Sequence, residues 1–152
     1  MKHRIQWKAG TGGPAGLDYQ PLLVHVAEGL AETTHPYVFV ARYAFKELLE
    51  AEGGAVKATP LVRELIQPLR RALASKDADV AMHALEAVRQ VSAAVGTALT
   101  PYLKDLVTAV ARRAFKAKFR DAVQDTLQEL EANGGEGAGA IIKKKVPTYQ
   151  SL

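Results

Sequence analysis

The stretch that most constrains this chain is residues 59–96, TPLVRELIQPLRRALASKDADVAMHALEAVRQVSAAVG. Its apolar residues recur at helical spacing in two runs, and the polar turn SKD separates them. Thr59 with Pro60 is typical of an N-cap followed by proline at the first helical position, Asp77 is a second N-cap candidate, and Gly96 is typical of a helix end. The stretch therefore predicts a hairpin of two helices with one broad apolar face, which it cannot bury alone.

The neighbouring segments repeat this pattern. Thr100-Pro101 follows Thr59-Pro60 after 41 residues. Apolar positions recur at nearly the same interval on both sides of the hairpin: Ala41, Phe45 and Leu48; Ala81, Leu85 and Val88; Val123, Leu127 and Leu130. Helix pairs that recur every 40–47 residues or so are typical of HEAT and armadillo repeats. We therefore predict an all-α fold, a short α-solenoid of about three HEAT/armadillo-like hairpins with extended N- and C-terminal arms. One continuous core should contain Leu65, Leu85, Val88, Leu106, Leu127 and Leu130.

Glycine-rich segments divide the chain into three parts. Residues 1–16 are predicted to be an extended arm with a flexible link, and residues 17–135 the helical repeat domain. Residues 136–152 are predicted to be an extended basic tail, because isoleucine and valine favour strands and Pro147 disfavours helix before it. Gly134 suits a left-handed cap at the end of the last helix.

Six residues are interpreted as structural: Trp7, His35, Pro36, Tyr37, Pro68 and Tyr149. Trp7 should pack onto the helical body, and its indole N–H should find a partner. His35-Pro36 should open the second helix. Pro68 removes a backbone hydrogen bond inside a helix and predicts a kink there.

Composition excludes several classes of site. The chain contains no cysteine, so it has neither disulfides nor thiolate ligands nor a cysteine nucleophile. No apolar run approaches the ~20 residues of a membrane span, and the N-terminal stretch lacks the apolar core of a signal peptide. We expect an intracellular, soluble protein without a membrane partner.

No pattern predicts catalysis. His25 with Glu28 and Glu32, and His83 with two acidic neighbours, could each place three metal-competent groups on one helical face. Both trios fall on the polar side of an amphipathic helix, where charged residues are expected anyway. We therefore predict no catalytic residue, no metal site and no cofactor. A helical stack without a reactive centre usually works as a binding surface.

The net charge is +4, and the positive charges cluster. The candidate partner-binding residues come from two runs: Arg112, Arg113, Lys116, Lys118 and Arg120; Lys143, Lys144 and Lys145. Such patches indicate an acidic partner, although a solvated face is an equally good reading. Phe115 and Phe119, four residues apart, are predicted to face the core together. Basic and aromatic residues that alternate can also bind single-stranded nucleic acid, which is the alternative function.

Several segments resemble the parkin co-regulated gene (PACRG) family, and most closely its PACRG-like branch. They are KHRIQW (2–7), DYQPLLVHVAEGLAETTHPYVFVARYAFKELL (18–49), LIQPLRRAL (65–73) and GG…IIKKKVPTYQS (134–151). The resemblance implies an α-helical repeat protein in the cytoplasm of ciliated cells, in the axoneme or at the basal body. In the better-known branch the protein is a structural component of axonemal doublet microtubules.

The resemblance and the basic patches together predict a non-catalytic scaffold of cilia and flagella that binds tubulin or microtubule-associated proteins. The C-terminal tails of tubulin are acidic, so the two basic runs are candidates to meet them. Nucleic acid is the second choice of partner.

Overall fold

A computed structural model describes Trp7, residues 13–34 and residues 36–151, and every structural statement refers to these parts. They form eight α-helices joined by turns and 3-10 segments, with no β-strand among them. The predicted all-α class is thereby confirmed. The helices are α1 (Tyr19–Glu28), α2 (Tyr37–Glu50), α3 (Gly54–Ala58), α4 (Val62–Leu73), α5 (Ala78–Val95), α6 (Leu103–Ala111), α7 (Arg120–Asn133) and α8 (Ala138–Lys145). In these described residues no helix is both long and apolar enough to cross a membrane.

The longer helices pack in two layers. Successive helices contact each other as pairs, α1 with α2, α4 with α5, and α6 with α7. Helix α4 also contacts α1 and α6, which gives a first layer of α1, α4 and α6. Helix α5 contacts α2 and α7, which gives a second layer of α2, α5 and α7. Helix α8 packs against α6 and α7 at one end.

A single hydrophobic core lies between the layers. All six residues predicted to share it belong to one buried cluster: Leu65, Leu85, Val88, Leu106, Leu127 and Leu130. The first four of them have no exposed surface. Helical periodicity predicted them because each repeats the apolar stripe of its own helix.

The central hairpin, α4 with α5, forms largely as its sequence predicts. The Asp77 carboxylate accepts hydrogen bonds from the backbone N–H groups of Asp79 at 2.9 Å and Val80 at 3.1 Å, which caps α5. Gly96 ends α5 with a positive φ of 55°. Helix α4 runs through Pro68 without interruption, and this proline is buried.

Neither Thr-Pro pair caps a helix, contrary to the prediction. The Thr59 hydroxyl donates to the Ala55 carbonyl at 2.7 Å, because short helix α3 already precedes it and the backbone at Thr59 is helical. The Thr100 hydroxyl donates instead to the Gly134 carbonyl at 3.2 Å, across to the end of α7. Both prolines lie in 3-10 turns that lead into α4 and α6. The N-cap assignment was wrong, although the predicted helix starts are close to those observed.

The C-terminal segment is not extended over its whole length. Ala138–Lys145 is helix α8, and Ala138 and Ile142, one turn apart, are buried against the body. Three lysines occupy its last turn, where the negative end of the helix dipole favours cations. The strand preference of Ile141 and Ile142 is therefore overridden by packing. The prediction of an extended tail over residues 136–152 was wrong for this helix.

Tyr149, which follows α8, is only 2% exposed and docks on α7. Its hydroxyl donates to Glu131 Oε1 at 2.6 Å, and Ser151 Oγ donates to the same carboxylate. Burial raises the pKa of the Tyr149 hydroxyl well above 10, and its hydrogen bond to the negatively charged Glu131 raises that pKa further. The predicted structural role of Tyr149 agrees with this position.

The turn before α8 uses its glycines differently from the prediction. Gly135, with φ 76°, and Gly137, with φ 92°, have positive φ, whereas Gly134 has a helical φ of −85°. Gly134 is needed for space, because a Cβ there would lie 2.6 Å from the Leu130 carbonyl oxygen and 2.7 Å from the Ala138 Cβ. This close approach lets α8 fold back beside α7.

At the N-terminal end, Trp7 is half-buried and its indole N–H donates to Glu47 Oε1 at 3.0 Å, as predicted. Part of the glycine-rich link, which was predicted to be flexible, forms a 3-10 turn, Pro14–Gly16. Pro36 precedes α2, as expected. Tyr37 is 63% exposed and does not fill the core.

The predicted role of His35 falls on a residue outside the described parts of the chain. Nothing in the structure tests it.

Candidate binding groove

The C-terminal ends of α4 and α6 converge on one groove in the first layer, with a volume of about 460 Å³. We call it the arginine groove. Its lining residues are Gln67, Arg70, Arg71, Leu73, Ala74, Ala109, Arg112, Arg113 and Phe115. Four guanidinium groups and one aromatic ring thus surround a small apolar floor.

Helix ends explain why arginines gather here. Arg70 and Arg71 lie in the last turn of α4, and Arg112 and Arg113 begin the 3-10 turn that follows α6. The C-terminal ends of helices carry partial negative charge, so cations there are favourable. Because the C-terminal ends of α4 and α6 lie side by side, the positive charges of both ends collect in one groove.

The four guanidinium groups are not neutralised within the described structure. The ion pair found among the described residues joins Arg42 to Glu86 at 3.0 Å, in the second layer. Arg70, Arg71 and Arg112 are exposed. The Arg113 guanidinium lies 4.8 Å from the centre of the Phe119 ring, and its buried Nε has no hydrogen-bond acceptor among the described residues. The groove therefore offers several unused donors to an anionic group.

The two phenylalanines of the basic run lie in different environments. Phe119 is 1% exposed, as predicted, whereas Phe115 is 71% exposed and lines the arginine groove. The prediction that both face the core was wrong for Phe115. Helical spacing fails because Lys116 is extended, with φ −97° and ψ 126°, between two short 3-10 turns.

The remaining residues of the basic run lie beside the groove rather than in it. Lys116 and Lys118 are exposed, and each lies over a phenylalanine ring, at 5.9 Å from Phe115 and 5.6 Å from Phe119 respectively. Arg120 opens α7, and its Nε donates to a backbone carbonyl in the preceding turn at 3.2 Å. They extend the positive surface of the groove.

The second basic run lies at the end of α8 and does not line the groove. Lys143 donates to the Tyr149 carbonyl at 2.7 Å, so it helps to hold the C-terminal segment. Lys144 and Lys145 are exposed. The structure does not join the two runs in one site.

Sequence reasoning missed Arg70 and Arg71. A signal was available in the repeat, since Arg71 and Arg112 are 41 residues apart, the same interval that separates Thr59 from Thr100. In the predicted array of helix pairs, positions separated by this interval would lie side by side on one face.

The histidine trios do not form sites. Within the described residues, no group of three or more histidine and acidic side chains is placed to hold a metal ion. Burial lowers the pKa of His83 and the nearby Arg42 lowers it further, against smaller opposing effects of acidic neighbours, Glu86 first.

Comparison with known proteins assigns the chain to a family. The model of the family described as Parkin co-regulated protein matches residues 1–151. A mouse protein, the Parkin coregulated gene protein homolog of Mus musculus, is 31% identical over an alignment 169 positions long, which covers 98% of this chain and 67% of the mouse protein. The resemblance that the sequence motifs suggested is confirmed. The chain belongs to the Parkin co-regulated protein family.

Proposed function

We propose that this protein is a non-catalytic scaffold of cilia and flagella, in the axoneme or at the basal body. It binds tubulin or microtubule-associated proteins through an acidic segment, such as a tubulin tail, that enters the arginine groove. The cellular setting is what the resemblance of the sequence motifs implies, and the match of the family model over residues 1–151 supports that resemblance. The observation that carries the binding mode is the set of four arginines in one groove, none of which has an acidic partner among the described residues.

The chemistry of the groove suits carboxylates. A guanidinium group presents its donors in a planar fork that matches a carboxylate in two parallel hydrogen bonds. Several such forks in one groove favour a chain of consecutive acidic side chains over a single anion. Phe115 adds an exposed apolar surface beside the charges, against which the aliphatic part of a glutamate can pack.

The architecture suits a scaffold. We propose that the three helix pairs form a short HEAT/armadillo-like solenoid, with α8 closing one end. Supporting this, first-layer helices contact first-layer helices and second-layer helices contact second-layer helices along the stack. Repeat arrays of this kind act through extended binding surfaces.

Nucleic acid is the second candidate, and the exposure of Phe115 favours it. Single-stranded nucleic acid binds grooves in which aromatic rings stack on bases and cations follow the backbone. Among the described residues, however, only one exposed ring lines the arginine groove, whereas successive bases need successive platforms. This is why we place the acidic segment first.

The decisive experiment is co-sedimentation with microtubules at low salt. The variant Arg71→Glu with Arg112→Glu reverses one charge on each side of the groove. The matched control, Arg63→Glu with Lys104→Glu, makes the same change in net charge at exposed positions near the opposite ends of α4 and α6. We expect the groove variant to lose about ten-fold or more in affinity, and the control much less.

Two further arms separate the candidates. Microtubules whose acidic tails have been removed by protease should bind the wild-type protein weakly, and RNA at equal charge concentration should compete poorly. If RNA displaces the protein readily, the nucleic-acid function replaces the proposal. If the wild-type protein does not sediment with microtubules even at low salt, where screening is weakest, direct binding to tubulin is wrong.

A further inference from the structure

The second layer carries a separate groove, with a volume of about 620 Å³, between α2, α3, α5 and α7. Its apolar lining consists of Leu49, Ala51, Ala55, Val56, Ala93 and Ala94. Val56 is 78% exposed, the largest exposure among the large apolar side chains of the described residues. Small side chains on the floor let another backbone approach closely. We call this the alanine groove.

Acidic side chains flank the alanine groove on opposite sides. Glu50 ends α2 on one side, and Glu129 on α7 lines the other. Both are exposed, and neither forms an ion pair within the described parts of the chain. An adjoining cleft of about 370 Å³ shares Glu129 and adds Asp125, so the acidic rim continues along α7.

The other charges at this groove already have partners. Glu86 pairs with Arg42 at 3.0 Å and accepts a hydrogen bond from Gln90 at 3.2 Å. Arg89 donates to the neutral Thr126 hydroxyl at 2.8 Å, so its guanidinium is held in place but keeps its positive charge in the lining. Within the described residues, a ligand therefore meets an apolar floor between the carboxylates of Glu50 and Glu129, which form no ion pair there.

We propose that the alanine groove binds a basic amphipathic helix of a partner protein. The apolar side of that helix would lie on the alanines and Val56. Lysines or arginines on its flanks would reach Glu50 on one side and Glu129 with Asp125 on the other. This is the helix-in-groove mode of recognition, in which apolar anchors supply affinity and flanking charges fix the register.

The inference goes beyond the proposed function because it concerns the other layer and a partner of opposite charge. The arginine groove takes an acidic segment, and the alanine groove a basic one. A protein with both would connect an acidic partner to a basic partner. Because the net charge of the chain is +4, binding of a cationic helix cannot come from overall attraction and requires this local acidic rim.

The test uses a fluorescent synthetic peptide of about 18 residues, long enough for a helix, with leucines at i, i+3, i+4 and i+7 and lysines on the flanks. A second peptide keeps the lysines and replaces each leucine by serine. Binding to the full chain is followed by anisotropy at low and at moderate salt. We expect the leucine peptide to bind and the serine peptide to bind at least about ten-fold more weakly.

Protein variants locate the site. Glu50→Lys with Glu129→Lys reverses both sides of the rim, and Val56→Ser removes apolar surface from the floor without adding charge. The matched control, Glu64→Lys with Asp105→Lys, makes the same change in net charge at exposed carboxylates of the first layer. Each groove variant should weaken binding about ten-fold or more and the control less than about two-fold, at equal helicity by circular dichroism.

Several results would overturn the proposal. They are absence of binding to the wild-type protein, equal losses in the rim and control variants, or equal affinity for the two peptides. If sedimentation shows that the wild-type chain self-associates and the rim variant does not, the occupant is a second copy, contrary to the proposal. The rim variant should still bind microtubules, so failure here and failure of the arginine groove are distinguishable.

Discussion

Replacing Tyr149 by phenylalanine tests whether the C-terminal segment docks on α7 as the structure shows. The change removes one oxygen atom from a side chain that is 2% exposed. That oxygen donates to Glu131 Oε1 at 2.6 Å and lies 3.5 Å from the Leu127 carbonyl oxygen. The ring itself is retained, so the experiment isolates the hydrogen bond from the apolar packing.

The size of the effect follows from the environment of the bond. A hydrogen bond to a charged group contributes roughly 1.5–3 kcal/mol to stability. Glu131 is half-buried and keeps the Ser151 hydroxyl as a donor, at 2.8 and 2.6 Å from its two oxygens, so its carboxylate is not left bare. We therefore expect a loss of about 1.5–2 kcal/mol in the free energy of unfolding, the lower part of that range.

The assay is urea unfolding followed by circular dichroism, with Tyr37→Phe as the matched control. Tyr37 is 63% exposed, so loss of its hydroxyl should change stability by less than about 0.5 kcal/mol. A double-mutant cycle with Glu131→Gln should return a coupling energy of about 0.5 kcal/mol or more between the two side chains.

The same pair gives a pH signature. Because the pKa of Tyr149 is raised in the folded state, its contribution to stability is fully present below pH 10 and is lost as the pH rises above that value. Tyr149→Phe should reduce this alkaline loss. If Tyr149→Phe and Tyr37→Phe have equal effects on stability, the C-terminal segment is not docked in solution, and the reasoning fails.

Two further predictions concern the body of the protein. Leu85 has no exposed surface and lies on α5, which contacts both neighbouring helices of its layer and also α4. Leu85→Ala should therefore lower the free energy of unfolding in urea by about 2–5 kcal/mol. A loss under about 1 kcal/mol would contradict the packing. The pKa of His83 is lowered from 6.5, chiefly by burial and then by Arg42, so the folded state disfavours its protonation. Stability should therefore fall as the pH decreases below about 6.5, where the unfolded chain takes up the proton first. His83→Gln should remove that part of the pH dependence, and an unchanged profile in thermal melts from pH 7.5 to 5 would show that another group is responsible.

The sequence by itself determined the helices and most of the core. Leu65, Leu85 and Leu127 could be predicted as buried because an apolar stripe repeats every three to four residues, and that signal lies within each helix. The cap at Asp77 and the stop at Gly96 were equally local, since each depends on a residue type and its immediate neighbours. The sequence predicted that the indole N–H of Trp7 would have a hydrogen-bond partner, but it did not identify that partner as Glu47.

What only the tertiary structure decided depends on neighbours distant in the chain. Residues Ala138–Lys145 form helix α8 because Ala138 and Ile142 are buried where this helix packs against α6 and α7, although the local sequence preference is for a strand. Phe115 became exposed because the backbone at Lys116 leaves the helical region. The arginine groove exists because α4 and α6 end side by side, which brings Arg71 to Arg112 across 41 residues. Periodicity reports which face of a helix is apolar, but only packing decides which polar groups of different helices meet.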